Sequence, residues 1–411
     1  MPKNDPQHLS CAQKTAHIWR KSDGSWSEQI VPACSPADEG ARPGDYTTPD
    51  DPIDISIWLI KADNARNCAA CKQELSNAAR IPDLWWTDYS RNSNGHFGCE
   101  ELIDKDGKPG EVVTWTRFLV KILQNNDQDK YHWLKFNILI HWNPATNRTN
   151  ILLFDLAAEL HTKVVASLKT AALNQTARTT DPFWPYPSLV EHLIDRQDQA
   201  VWALRTLVRM IEKTRQVSPD MSSHVFTRMH DLARHAVHIS ETLEVGIDSI
   251  AALVDRHGAF ITERHPGSPA SSIHDRLLAF QNLLLSLRRR SDSNHQRLQN
   301  EIQLAFNNVS WRDAAISREI ATATQVDSAA MKTIAMLTTA FLPATFVAAI
   351  FSTSFFSLND AGSWVMSHMF WVYWAFAIPI SLATTGWWTY WQKGQPFTPV
   401  KEDDTREDHK A

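Results

Sequence analysis

The stretch TIAMLTTAFLPATFVAAIFSTSFF, residues 333 to 356, decides how the rest of this 411-residue chain is read. It holds no charged side chain and is long enough, as a helix, to cross a hydrocarbon core of about 30 Å. Apolar residues lie on all its sides, so it lacks the hydrophilic face of a surface helix. A second apolar stretch, FWVYWAFAIPISLATTGWW at 370 to 388, follows the connector SLNDAGSWVMSH. The expectation is a two-span hairpin: a first transmembrane helix at 333–356, an external loop at 357–369 and a second transmembrane helix at 370–391. Lys332 flanks the first stretch and Lys393 follows the second, whereas the connector has no Lys or Arg. Basic flanks stay on the cytosolic side, which puts both termini in the cytosol. Trp364, Trp371, Trp374, Trp387, Trp388 and Trp391 bracket the second span, where amphipathic rings suit the lipid interface.

Upstream of the first span the helical period continues without proline or glycine. Ile273, Leu277, Phe280, Leu284 and Leu287 recur at helical spacing, and Leu298, Ile302, Ala305, Val309, Ile316 and Ile320 resume it. Between them, RRRSDSNHQR (288 to 297) either breaks the helix or forms a solvated section of it. Unbroken, a stalk helix at 271–332 would extend roughly 90 Å and would need partners along its length.

The preceding chain divides by pattern. Residues 1–50, rich in Pro, Ser, Asp and Gly, read as a mobile tail or irregular cap. Runs of β-branched and aromatic residues at 53–60, 112–123, 131–142 and 149–156 read as strands, the last two as a hairpin, within a strand-rich 51–160. Helices dominate 161–270, including 188 to 215 with Ser188 as its N-cap and about 222 to 256. An acidic cytosolic tail closes the chain at 392–411. The fold class is thus α+β: a cytosolic domain with a small mixed sheet and helices, then the stalk and the transmembrane hairpin.

Charge and motifs exclude other classes. A formal net charge of -5 gives no basic footprint for nucleic acid. No G-x-G-x-x-G, Walker-type lysine loop, G-x-S-x-G or H-E-x-x-H occurs, so no enzymatic step is expected and no cofactor is required. Five cysteines and an N-terminus without an apolar leader suit a reducing compartment. Cys68, Cys71, His96 and Cys99 have the residue types and paired spacing of a zinc site; the alternative is ordinary thiols, with CAAC as a turn of helix. Asp231, His235 and His238 share a helical face and would suit either a regulatory divalent ion or a solvated histidine-rich surface.

The first span also carries hydroxyls. Thr338, Thr345 and Ser352 recur every seven residues, and Pro343 withholds a donor from the carbonyl of Thr339. Either these hydroxyls bond back to their own helix, or they line a hydrated path shared by several copies.

From QRLQNEIQLAFNNVSWRDAA through the first span to FWVYWAFAIPISLATTGWWTYW, with MKT and FLPATF, residues 296 to 392 resemble the CorA family of magnesium transporters, and most of all a fungal CorA-like branch. The resemblance implies a homopentamer in the lipid bilayer, its pore lined by the first span, with Mg2+ as the transported or regulatory ion. The family's Gly-Met-Asn tripeptide falls on Ser352, Thr353 and Ser354, so this sequence departs at all three positions. The polar pore position two residues after the proline falls on Thr345, which matches. Pore-lining residues by this resemblance are Thr338, Thr345, Ser352, Thr353 and Ser354. Asp360 would form a carboxylate ring at the pore mouth. Serine hydroxyls are shorter than a carboxamide, so the expected ring is wider and less selective. Two functions remain open: a divalent-cation channel, or a membrane-anchored oligomeric interaction or scaffold protein without transport.

Overall fold

Seven strands build the sheet: β1 (Lys14–Arg20), β2 (Trp26–Pro32), β3 (Ile55–Ile60), β4 (Gly95–Ile103), β5 (Pro109–Gln124), β6 (Asp127–Asn143) and β7 (Arg148–Phe154). Their order is β2-β1-β3-β7-β6-β5-β4, and every neighbouring pair is antiparallel except β3 with β7. The computed structural model describes residues 14–21, 23–32, 53–103, 109–124, 127–214, 223–264, 272–352, 356–358 and 362–393.

Period-two alternation sorts side chains to two faces, and helices cover both. Ile55 and Ile57 of β3, Ile138 and Ile140 of β6, and Ile151 and Leu153 of β7 enter the larger core. There they meet α4 (Ala158–Ala171), α6 (Tyr186–Thr214), α7 (Ser223–Arg264) and the first turns of α8 (Ser272–Phe351). Trp58, Ile60, Leu139, Leu152 and Phe154 point the other way. They pack on α1 (Ala62–Arg66), α2 (Ala69–Ala79) and a 3-10 turn bearing Trp85 and Trp86. Short α3 (Asp88–Asn92) and α5 (Gln175–Thr180) are capped by Thr87, which accepts from Ser90 N, and Asn174, which accepts from Ala177 N.

Three expectations change. Part of the supposed irregular tail forms β1 and β2: KTAHIWR pairs directly with β3 and buries both His17 and Ile18, on opposite faces of the strand. The helix expected to begin after Ser188 starts at Tyr186, with Pro187 in its first turn where a missing N–H is harmless. The RRRSDSNHQR stretch does not break α8, which is continuous over 80 residues. Its polar side chains are held inside the fold: Ser291 Oγ is 2.8 Å from Ser240 Oγ, and Asn294 donates to the Val201 carbonyl at 3.3 Å. Arg297 grips both oxygens of Glu212, at 2.8 and 2.5 Å. A helix section that looks solvated in sequence is therefore a docking strip for α6 and α7.

The chain divides into two units, Met1–Asn307 and Asn308–Ala411, with the division inside α8. The second unit also holds the short antiparallel pair β8 (Phe356–Leu358) and β9 (Trp364–Met366), then α9 (Phe370–Lys393).

Candidate functional site

In the second unit α8 exposes large apolar side chains around most of its circumference. Ile334, Phe341, Leu342 and Phe346 each keep more than 60% of their surface exposed, at 64, 65, 63 and 65%, whereas Val347 is buried at 5%. Leu337, 53% exposed, and Phe346, nine residues further on, lie on opposite sides of the helix, so a single docking face does not account for the exposure. Such a surface needs an apolar environment. Among the described residues α8 is the one helix long and apolar enough, by length and composition, to cross a membrane. At 24 residues α9 has the length. Its five tryptophans and two tyrosines, however, carry N–H and O–H groups that dilute its apolar character. One segment therefore qualifies where two were expected.

Thr338, Thr345 and Ser352 turn their hydroxyls to their own helix. Thr338 Oγ1 donates to the Ile334 carbonyl at 2.9 Å, and Thr345 Oγ1 to those of Phe341 and Leu342 at 3.1 and 2.9 Å. Ser352 Oγ reaches the Ala349 carbonyl at 3.2 Å and is exposed. Back-bonding uses the one hydroxyl proton and leaves oxygen lone pairs outward. The three thus share a polar stripe that accepts rather than donates, which is the polarity a cation or its water would meet. Thr353, Ser354 and Asp360 lie outside the described residues.

The proposed zinc ligands are not brought together. Cys68 caps α2, its Sγ accepting from Cys71 N at 3.5 Å, and both cysteines belong to the α2 face of the sheet. Cys99 packs on the opposite core. His96 and Cys99 are three residues apart in β4, so strand geometry alone sends them to opposite faces. His96 Nδ1 lies 3.0 Å from Ser93 Oγ. Burial pushes the Cys99 thiol up, with Arg256 opposing, and so works against a thiolate ligand. Among the described residues no group of three or more metal-ligating side chains assembles. Asp231 instead pairs with Arg234, while the His235 and His238 rings pack on Tyr131 and Trp133.

One feature of the first unit escapes the sequence. A cavity of about 170 Å³ lies between α2 and the sheet, where β3 and β7 begin. Asp54 stands at its edge, its Oδ2 held by Arg20 at 2.8 Å and Arg178 at 2.6 Å. The signal available was slight: polar Asp54, Ser56, Arg148 and Asn150 interrupt two apolar strands at matching register.

No protein-family model matches the chain. A curated relative, "Notoamide biosynthesis cluster protein M'" of Aspergillus versicolor, is 28% identical over 329 residues, spanning 72% of this chain and 70% of the relative. Among solved structures, the full-length CmaX protein is similar over 93% of this chain and 98% of its own, at TM-score 0.43 and 13% identity. The CorA magnesium transporter from Methanocaldococcus jannaschii gives 0.42 and 12% over the same shares. The ZntB cytoplasmic domain from Vibrio parahaemolyticus gives 0.38 and 10%, over 64% of this chain and 96% of that domain.

Proposed function

We propose that the chain is a CorA-like membrane protein that passes divalent cations of the magnesium type as an oligomer. The observation that carries this reading is the α8 segment itself: large apolar side chains exposed around most of its circumference, with one stripe of outward-facing hydroxyl oxygens. Lipid suits the first surface and a shared aqueous axis suits the second. One α8 cannot enclose a path, so several copies, five by resemblance, would contribute one stripe each. In this reading α9 is the second, lipid-facing span, and both termini are cytosolic. Thr338, Thr345 and Ser352 line the path, Thr353 and Ser354 continue it, and Asp360 concentrates cations at the mouth. Conduction runs down the electrochemical gradient with no chemical step.

Magnesium uptake into proteoliposomes, measured for the native protein and for Ser354→Ala, tests it. Uptake by the native protein that changes rate or selectivity in the variant supports the reading; absence of uptake by the native protein overturns it.

A second reading is a membrane-anchored interaction or scaffold protein, favoured by the fact that every described hydroxyl of the stripe is already satisfied by its own helix. A chimera carrying unrelated spans keeps function under that reading and loses it under the first.

A further inference from the structure

The cavity between α2 and the sheet carries positive charge that the chain does not balance. Among the described residues Asp54 is the one carboxylate on its wall, and Arg20 and Arg178 share its Oδ2 at 2.8 and 2.6 Å. The other oxygen, Oδ1, is sealed from solvent, so Asp54 offers nothing to a molecule in the cavity. Arg148, also on the wall, brings a third guanidinium. Three cations beside one acid leave this corner of the first unit electropositive. The next acid, Glu111, is committed: its Oε2 lies 3.0 Å from His141 Nε2 and 3.4 Å from Arg80 Nε, and its Oε1 accepts from Asn143 Nδ2 at 2.7 Å.

Arg148 is anchored but unused. Its Nε donates to the Ile53 carbonyl at 3.0 Å, which fixes the plane of the group. Among the described residues its two terminal nitrogens have no acceptor, and neither belongs to the buried atoms left without partners, so both stay open to a ligand. A planar fork held at one nitrogen and empty at the other two matches a carboxylate, which accepts two parallel N–H bonds. Asn150 lies two positions along β7, on the same face. Its Nδ2 is 3.4 Å from His141 Nδ1, a contact that uses one of the two amide hydrogens and leaves the other to donate. Trp58 and Leu152 of the sheet, with Leu75 and Ala78 of α2, supply an apolar wall. At about 170 Å³ the cavity exceeds the roughly 150 Å³ of apolar cavities that take up benzene, which sets its occupant at about six carbons.

We propose that this cavity binds a short aliphatic monocarboxylate. Its carboxylate would meet the Arg148 fork beside the Asn150 amide, and its chain would lie against Trp58, Leu75 and Leu152. Surplus positive charge disfavours a metal cation here, and inorganic phosphate would leave the apolar wall unfilled. The site lies in the first unit and is independent of whether the chain conducts ions.

Calorimetric titration of the full-length protein in detergent with 4-methylpentanoate, 4-methylpentanamide and acetate tests this. 4-Methylpentanoate should bind saturably. The amide, which lacks the charge, and acetate, which lacks the chain, should each bind at least tenfold more weakly. Arg148→Ala should bring the acid down to the affinity of the amide while leaving the amide unchanged, a pattern that simple loosening of the fold would not produce. Ala78→Phe, which fills the cavity from α2, should abolish binding of 4-methylpentanoate. Failure of 4-methylpentanoate to saturate, equal binding of the amide by the native protein, an acid-to-amide difference that survives Arg148→Ala, or undiminished binding by Ala78→Phe overturns the proposal.

Discussion

His257 Nε2 and Asp181 Oδ2 lie 2.8 Å apart, and the His257 side chain is fully buried. The contact ties α7 to the turn that launches α6, and His274 of α8 joins it with Nδ1 3.3 Å from Nδ1 of His257. Asp181 Oδ1 also accepts from Phe183 N at 2.8 Å. The Asp181 carboxylate thus joins α7 to the turn before α6 directly, and α8 reaches it through His257. Asp181→Ala leaves two buried groups without partners, at about 1–3 kcal/mol each. Urea denaturation should show a clear loss of stability in this variant and a smaller one in Asp181→Asn, which keeps an acceptor for Phe183 N. Equal losses would show that hydrogen bonding at this carboxylate is not what holds the junction.

His17 predicts a pH dependence. Its ring stacks on Trp58 at 3.9 Å and Trp19 at 4.8 Å, with Nε2 3.3 Å from Ser56 Oγ. Burial lowers its pKa from 6.5 to about 4. Between those values the unfolded chain holds a proton that the folded chain refuses, so stability falls as pH drops through this window and is unaffected by the group above it. Melting temperatures across pH 7 to 4 should therefore decline less steeply for His17→Phe than for the native protein. Parallel curves would contradict the assignment.

Gly98 of β4 sits over Trp115, and a Cβ there would come within 2.2 Å of the indole ring. Trp115 is buried at 5% and cannot swing away freely. Gly98→Ala should destabilise the first unit by about 1–3 kcal/mol, as overpacking does. Relief of that loss by Trp115→Phe, measured in a double-mutant cycle, is the expected signature.

Thr345 separates the two functional readings. Its hydroxyl is satisfied within α8, so Thr345→Val should leave thermal stability in detergent nearly unchanged. If the stripe faces water, the same change should cut magnesium uptake severalfold. Full retention of uptake would place the stripe away from the path.

The central strands and long helices were legible because their signals are local. The 131–142 and 149–156 runs became β6 and β7, and leucine spacing marked α8. Strand β4 was missed because Gly95, Gly98, Glu100 and Glu101 obscure its alternation. The continuity of α8 through RRRSDSNHQR was ambiguous because Ser291 and Asn294 gain their partners only from α7 and α6, which no local pattern encodes. At the candidate sites the same limit applies. Hydroxyl spacing disclosed the stripe of Thr338, Thr345 and Ser352, while Asp54 and Arg148, 94 positions apart, meet only through the parallel pairing of β3 with β7.

The mass of the native particle bears most directly on whether α8 lines a shared axis. Mass photometry or native mass spectrometry in mild detergent should find a single closed assembly of about five times the 46.7 kDa chain. A particle of one chain's mass, persisting at high protein concentration and in lipid nanodiscs, would contradict it.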